Sequence, residues 1–439
     1  MSDPYWPDVE CIPYRGPDCE DALAYHYYDA DHILLGQSMR DHLRVAVCYW
    51  HSLCWPGDDV FGDGTFARPW HGGGAPMELA ERKLAVAFEL FSKLDVPFFT
   101  FHDRDLAPEG KSHVETCTQL DHMLELAEVE MARTGVGLLW GTANLFGHPR
   151  YAAGAATNPD PEVFAVAAHQ VLHALEATHR LGGANYVLWG GREGYDTLLN
   201  TDMRRELDQL GRFMQLVVEH KHRIGFQGTL LIEPKPMEPT KHQYDFDSAA
   251  VHAFLAQNGL EEEIKLNIEV NHATLAGHSF QHEIEYAIAN DLFGSVDLNR
   301  GDPQLGWDTD QFPCDVGEAT LALHAILRAG GLGSGGFNFD AKLRRQSIAP
   351  DDLLHAHIGG IDTLARGLRS AVCLLEDGVL EGCTLERYRG WEAQLGHDIL
   401  SGALDLARLA DLVEQQGLDP QPVSGRQEQI ENQISRYLR

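Results

Sequence analysis

The chain is 439 residues long and 44% hydrophobic, enough to bury a large core and unlike a disordered polymer. Its 34 basic against 66 acidic side chains leave a formal charge of −32, which repels phosphate backbones and anionic bilayers and argues against nucleic-acid or membrane partners. The opening MSDPYWPDVE lacks the basic and apolar regions of a leader, and no apolar run approaches the roughly 18 residues of a membrane span. Eight scattered cysteines without a C-x-x-C pair read as the reduced thiols of a cytoplasmic protein.

After a lead-in over 1–40, short apolar runs rich in β-branched or aromatic residues alternate with amphipathic stretches. The pattern predicts strands over 44–51 (RVAVCYWH), 96–103 (VPFFTFHD), 135–144 (GVGLLWGTAN) and 185–191 (NYVLWGG). Four more follow at 228–234 (GTLLIEP), 264–272 (IKLNIEVNH), 294–302 (GSVDLNRGD) and 335–342 (GGFNFDAK). Between them lie segments of helical periodicity, such as 77–94, 161–183 and 314–331, closing on glycine or a cation. Strand and helix repeated eight times predict an α/β fold, a TIM (β/α)₈ barrel over 41–378, with a doubly wound open sheet as the second choice. Past about 376 the periodicity loosens, and QQGLDPQPVSG interrupts the helical pieces. The span 379–439 therefore reads as an extended, mostly helical arm.

The predicted strands change character at their C-terminal ends. Apolar residues give way to His51, then His102 and Asp105, Thr142 and Asn144, Arg192 and Glu193, Glu233 and Lys235, Glu269 and His272, Asp297, and finally Asp340 and Lys342. In a barrel these ends converge on one face, where barrel enzymes keep their chemistry. The prolines of IEPKP (232–236) fix the backbone and remove donors, so they mark where a strand leaves the sheet. Glu233 and Lys235, two apart, share a face there if the chain stays extended.

Glu233, Glu269, Asp297, Asp308, Asp310 and Asp340 form a set of six carboxylates, with His272 beside them. A single strand-end acid is most often a cap or a solvated loop residue. Six aimed at one barrel mouth repel each other unless cations neutralise them. Oxygen-dominated ligation with one imidazole suits two ions such as Mg²⁺, Mn²⁺ or Co²⁺. Glu269 and His272 reach one ion across a strand end, and Asp308 and Asp310 can do so if the chain is locally extended. His102 and Asp105, three apart, fit an imidazole whose tautomer is fixed by a carboxylate. GLGSGG (331–336) matches a dinucleotide fingerprint only in the wrong context, after a helix and before a strand.

In these residues, and through CYWHSLCWPGDDVFGDGT, FFTFHDRDLAPEG, NYVLWGGREGYDTLLNTD, GTLLIEPKPMEPTKHQYD, NIEVNHATLAGH, LGWDTDQFP and GFNFDAKLRRQS, the sequence resembles the xylose isomerase family, class II, over nearly its whole length. Val270 stands where the family pattern has alanine, and every proposed ligand position is kept. The resemblance implies an aldose–ketose isomerase acting on D-xylose, with glucose as a side substrate, through a metal-promoted hydride shift. It implies one ion held by Glu233, Glu269, Asp297 and Asp340 and another by Glu269, His272, Asp308 and Asp310. His102, oriented by Asp105, would open the cyclic sugar, and Lys235 would donate to its O1. Trp50, Thr142 and Trp189 would bind the substrate, joined by Phe61 from a neighbouring subunit of a homotetramer.

Two other classes compete. A barrel phosphoesterase cleaving nucleic acid at abasic sites would call for cationic phosphate contacts and a His-rich zinc cluster, against one histidine among six acids and a charge of −32. A silent barrel that only binds sugar or metal would have no use for His102, Asp105 and Lys235.

Overall fold

The computed structural model describes residues 4–438. Eight parallel strands close on themselves: β1 (Ala46–Cys48), β2 (Phe98–His102), β3 (Gly137–Thr142), β4 (Asn185–Trp189), β5 (Thr229–Glu233), β6 (Ile264–Glu269), β7 (Phe293–Asp297) and β8 (Phe337–Phe339). Strand β8 pairs with β1 through Asn338 opposite Ala46, which excludes the open sheet. Each strand is shorter than its predicted run, because pairing stops where the chain turns toward the helix; seven lie wholly inside it, and β7 starts one residue earlier, at Phe293.

Eight helices follow the strands: α1 (Pro76–Leu94), α2 (His113–Thr134), α3 (Pro161–Arg180), α4 (Met203–Ile224), α5 (Ser248–Asn258), α6 (Phe280–Ala289), α7 (Val316–Arg328) and α8 (Asp352–Asp377). Their starts are chemically specified. Side chains of Ser112, Asp160, Asp202, Asp247, Ser279 and Asp315 accept first-turn N–H groups, satisfying donors that the helix itself leaves unpaired.

Period-2 alternation, interrupted in β3 by a register shift that turns both Leu139 and Trp140 inward, divides the barrel into two environments. Outward residues such as Val47, Phe99, Leu138, Tyr186 and Leu230 join the helices in one large apolar layer. Inward residues Ala46, Leu139, Trp140, Val187 and Leu231 form a smaller central cluster. Toward the strands' C-terminal ends the lumen becomes polar, with Thr100 Oγ1 donating to Asn338 Oδ1 at 2.8 Å.

The lead-in packs on the same core. Glu89 of α1 accepts from the Tyr5 and Trp6 amides at 2.8 and 2.9 Å, and Asp362 of α8 accepts from the amides of His26, Tyr27 and Tyr28, each at 2.8 Å. Beyond Gly378, helices α9 (Val379–Tyr388), α10 (Gln394–Leu400), α11 (Leu406–Gln416) and α12 (Gln427–Ile434) bury almost nothing in this chain. Tyr437 returns to α8, where its carbonyl accepts from Ser370 Oγ at 2.8 Å.

Candidate active site

The carboxyl ends of the strands surround a cavity lined by Glu233, Lys235, Glu269, His272, Asp297, Asp308, Asp310 and Asp340, with His102, Trp50, Thr142 and Trp189 on its other side. Sequence-predicted residues from all eight units thus meet at one face. Pro234 and Pro236 bracket Lys235, whose amide donates to Asp245 O at 2.9 Å. Glu233 and Lys235 both reach the cavity without pairing with each other. Glu233 accepts from Asn267 Nδ2 at 3.0 Å, whereas Lys235 Nζ lies 2.5 Å from Asp308 Oδ2.

Ligand atoms of Glu233, Asp297 and Asp340 lie within 4.8 Å of one another, as do those of Glu269, Asp308 and Asp310, and those of Glu233, Glu269 and His272. Glu233 and Glu269 each belong to two of these groups, and the group that joins Glu233 to His272 crosses the two ligand sets expected above. Two local conformations differ from expectation. Strand β6 ends at Glu269, and His272 sits in a short helix, Val270–Leu275. One helical turn, not an extended strand end, brings His272 Nε2 to 3.0 Å from Glu269 Oε2. The segment carrying Asp308 and Asp310 is also not extended, since Asp310 takes a left-handed backbone at φ +42°. Such strain in a non-glycine residue is a common mark of a functional position.

Burial and mutual repulsion set the electrostatics. Glu233 is pushed well above the usual carboxylate range by burial, then by Asp297 and Asp340. Burial, followed by Asp308 and Asp340, does the same to Glu269. Burial and Asp340 raise Asp297 to about 8. Asp308 goes the other way: burial opposes its charge, but Lys235 and His272 hold it well below the usual range. Oxygen donors of this density, buried and resisting ionisation, fit divalent cations, whose binding displaces the protons.

Sequence reasoning missed several participants. His51, noted only as a strand-end residue, places Nε2 at 3.1 Å from both Asp310 Oδ2 and Asp340 Oδ1. Burial works against its charge, yet Asp340 and Asp310 raise it to about 9. Lys342 Nζ lies 2.8 Å from Asp310 Oδ2. A belt of amides supports the carboxylates: Asn267 donates to Glu233, Asn299 to Glu269 at 2.8 Å, and Asn338 to Asp297 at 3.0 Å. Their signal was available, since Asn267, Asn299 and Asn338 stand two residues from Glu269, Asp297 and Asp340, respectively, the spacing that puts two side chains on one side of an extended chain. Phe146, from the β3 loop, had no such signal. It meets His102 at 5.5 Å and Trp189 at 4.4 Å, edge to face.

On the other wall His102 Nδ1 lies 2.6 Å from Asp105 Oδ2, leaving Nε2 free of that pairing. Trp50 stacks obliquely on His102 at 4.4 Å and donates its Nε1 to Asp340 at 2.7 Å. Thr142 turns its hydroxyl to Val187 O at 2.6 Å. Three strand-end residues play structural parts. Glu193 accepts from the amides of Ala155, Ala156 and Thr157, Asn144 Oδ1 accepts from the Gly147 amide, and Arg192 donates to Phe146 O. Phe61 is 80% exposed and absent from the cavity of its own chain.

The shifts dictate a pH response for the protein stripped of divalent ions. In the unfolded chain these carboxylates ionise near pH 4, while in the fold Glu233, Glu269 and Asp297 resist ionisation. The folded state then holds more protons, so stability falls as pH rises from about 4 toward 8. The raised His51 acts in the same direction: its contribution is full below about 6.5 and is lost as pH rises through about 9. With chelator present, the melting temperature should decline from pH 5 to pH 8.5, and saturating Mg²⁺ should flatten or reverse the slope. A chelated protein that stabilises steadily over this range would contradict these shifts.

No described helix is long and apolar enough to cross a membrane. Residues 385–438 match the family model described as the XylA2 C-terminal domain. Xylose isomerase from Actinobacillus pleuropneumoniae serotype 5b is 58% identical over 434 residues, covering 99% of this chain and 99% of the relative. The xylose isomerases of Pseudomonas syringae pv. syringae and Cronobacter sakazakii are 58% and 59% identical over 99% of this chain and 99% of each relative. In fold alone, the chain is similar to a solved Rhodospirillum rubrum protein with a provisional xylose isomerase name, at 13% identity and TM-score 0.51 over 73% of this chain and 98% of that one. With relatives so similar across its full length and a barrel mouth built from buried carboxylates, the chain belongs to the xylose isomerase family.

Proposed function

We propose that the cavity interconverts D-xylose and D-xylulose, with D-glucose as a poorer substrate. The observation that carries this reading is the facing of a His102–Asp105 pair and a buried ammonium, Lys235, across a cluster of six carboxylates. Glu233, Glu269, Asp297 and Asp340 would hold one divalent ion, and Glu269, His272, Asp308 and Asp310 the other, Mg²⁺ foremost with Mn²⁺ or Co²⁺ able to replace it. When bound, the ions supply Lewis-acid polarisation of oxygens on adjacent sugar carbons, the condition for moving hydride between C1 and C2.

The chain's own residues do the rest. Asp105 fixes the His102 tautomer so that Nε2 can exchange a proton with the ring oxygen and anomeric hydroxyl, opening the sugar. Lys235 donates to O1, its charge kept by Asp308 and Glu269 against the cost of burial. Trp50, Phe146 and Trp189 wall the reacting carbons from water.

We also read the chain as one subunit of a homotetramer. Phe61 and Val60 project into solvent, positioned to enter a neighbour's cavity, and the arm exposes Leu385, Trp391, Leu400 and Leu406, apolar surface that a partner would cover. Sedimentation should return about four chain masses, and a monomer would remove this part of the reading.

Chelated protein given single ions and a panel of aldoses tests the function. Ketose should form from D-xylose fastest, with Mg²⁺, Mn²⁺ or Co²⁺ and not without them. His102→Asn should slow cyclic D-xylose far more than an open-chain aldose. Zinc-dependent cleavage of abasic DNA without ketose would favour the phosphoesterase instead.

A further inference from the structure

On the outer wall of the barrel, helices α2 and α3 each carry a pair of ligand-type side chains one turn apart. HVETC in α2 spaces His113 and Cys117 by four, and HQVLH in α3 spaces His169 and His173 by four. Residues four apart on a helix lie on one face, and two imidazoles so spaced are a recurrent zinc-binding arrangement. The two faces meet. Ligand atoms of Cys117, His169 and His173 all lie within 4.8 Å of one another. The His169 ring is 4.5 Å from that of His173 and 5.2 Å from that of His113.

The four side chains rim a small cleft that also touches Arg104 and Asp103. Arg104 and Arg150, which also line the cleft, are unfavourable neighbours for a cation, but the Arg104 guanidinium lies 3.4 Å from the Asp103 carboxylate and Arg150 is paired with Glu109, while Asp121 and Glu176 place negative charge near Cys117. Among the described residues, His169 meets His113 and His173 ring to ring, and neither the three imidazoles nor the Cys117 thiol makes a side-chain hydrogen bond or ion pair with the protein. Surface histidines usually take a carboxylate or carbonyl partner, as His122 does with Glu81 at 2.8 Å and His220 with Glu176 at 3.1 Å. Three imidazoles grouped without one have donor atoms to spare.

We propose that Cys117, His169 and His173, with His113 as fourth ligand, bind a borderline-soft divalent ion, Zn²⁺ foremost, at a site separate from the carboxylate cluster. Three nitrogens and one sulfur match tetrahedral zinc, whereas Mg²⁺ and Mn²⁺ prefer the oxygen-rich lumen. The two sites therefore sort metals by ligand softness. The bound ion would tie α2 to α3.

The test uses the full-length protein with Mg²⁺ in large excess, so that the lumen stays occupied. Calorimetric titration should find one equivalent of Zn²⁺ that added Mg²⁺ does not displace. The double variant His169→Gln, His173→Gln should weaken that equivalent by about 100-fold or more while keeping turnover of D-xylose with Mg²⁺. Co²⁺ at the same site should give the intense near-ultraviolet sulfur-to-cobalt absorption, absent in Cys117→Ser. Zinc that binds only by displacing Mg²⁺, or an undiminished zinc equivalent in the double variant, would overturn the site. A cobalt spectrum unchanged by Cys117→Ser would overturn the thiolate assignment.

Discussion

Glu269→Gln should lower turnover of D-xylose by about 10³-fold or more, the most damaging change among the six carboxylates, because a bridging ligand serves both ions and each supplies several kcal/mol of charge stabilisation. Glu269 belongs to two of the ligand groups, one with Glu233 and His272 and one with Asp308 and Asp310. Glutamine keeps the shape, and its carbonyl can still accept from Asn299 Nδ2, which lies 2.8 Å from Glu269 Oε1. What is lost is one negative charge shared by two sites. Metal titration should therefore fall from two tight equivalents to at most one, whereas Asp297→Asn should weaken only one ion. Stability should move the opposite way in chelator. Glu269 is held out of ionisation by burial and by Asp308 and Asp340, so folding without metal must take up a proton there that the unfolded chain lacks near neutral pH; glutamine removes that cost and raises the melting temperature of the metal-free protein. That opposition between function and stability is expected of residues placed for chemistry. Two ions bound with undiminished affinity by Glu269→Gln would end the bridging assignment.

The barrel was legible because its signals are local and repeated. Eight apolar runs of strand composition alternate with capped, amphipathic helices, and each run turned polar at the same end. Glu233, Glu269, Asp297 and Asp340 could be placed together from that regularity alone, because closing the sheet brings all strand ends to one mouth. Asp308 and Asp310 were harder. They lie in the loop after β7, and the left-handed backbone at Asp310 together with distant partners, among them Lys235, Lys342, His51 and Asn271, sets their direction. Propensity does not encode such long-range choices.

His51 illustrates a different limit. Its sequence neighbours, Trp50 and Ser52, gave no carboxylate partner, and its role depends on Asp310 and Asp340, which arrive from elements more than 250 positions away. Phe146 depends likewise on a loop path. The amide belt was the avoidable omission. An asparagine two places from Glu269, Asp297 and Asp340 is a pattern of period 2, and carboxylates packed this densely need neutral donors that do not compete with a cation for charge.

Lys235→Met should reduce kcat/KM for D-xylose by about 10²–10³-fold, the range for removing one preorganised donor to a developing oxyanion. Lys235 is 5% exposed, its Nζ lies 2.5 Å from Asp308 Oδ2 and 5.4 Å from the Trp189 ring centre, and the flanking prolines give its backbone little freedom. Methionine fills much of the same volume without the charge. Two roles for the lysine are separable by the state of the ions. As a counter-charge it matters most in chelator, where losing it leaves Asp308 buried with only His272 and Asn271 facing it; truncating one partner of a buried pair costs about 3–5 kcal/mol. As a donor to the substrate it matters most with both ions bound, when cations take over the neutralisation of Asp308. Lys235→Met saturated with Mg²⁺ should therefore regain most of its thermal stability and little of its activity. Lys235→Arg should keep the metal-free fold stable through its charge, yet stay slow, because a planar guanidinium does not place its donors where the ammonium stood. If Lys235→Met with both ions bound turns over D-xylose within about tenfold of the wild type, the lysine is a counter-charge and the donor to O1 must be sought elsewhere along the cavity wall.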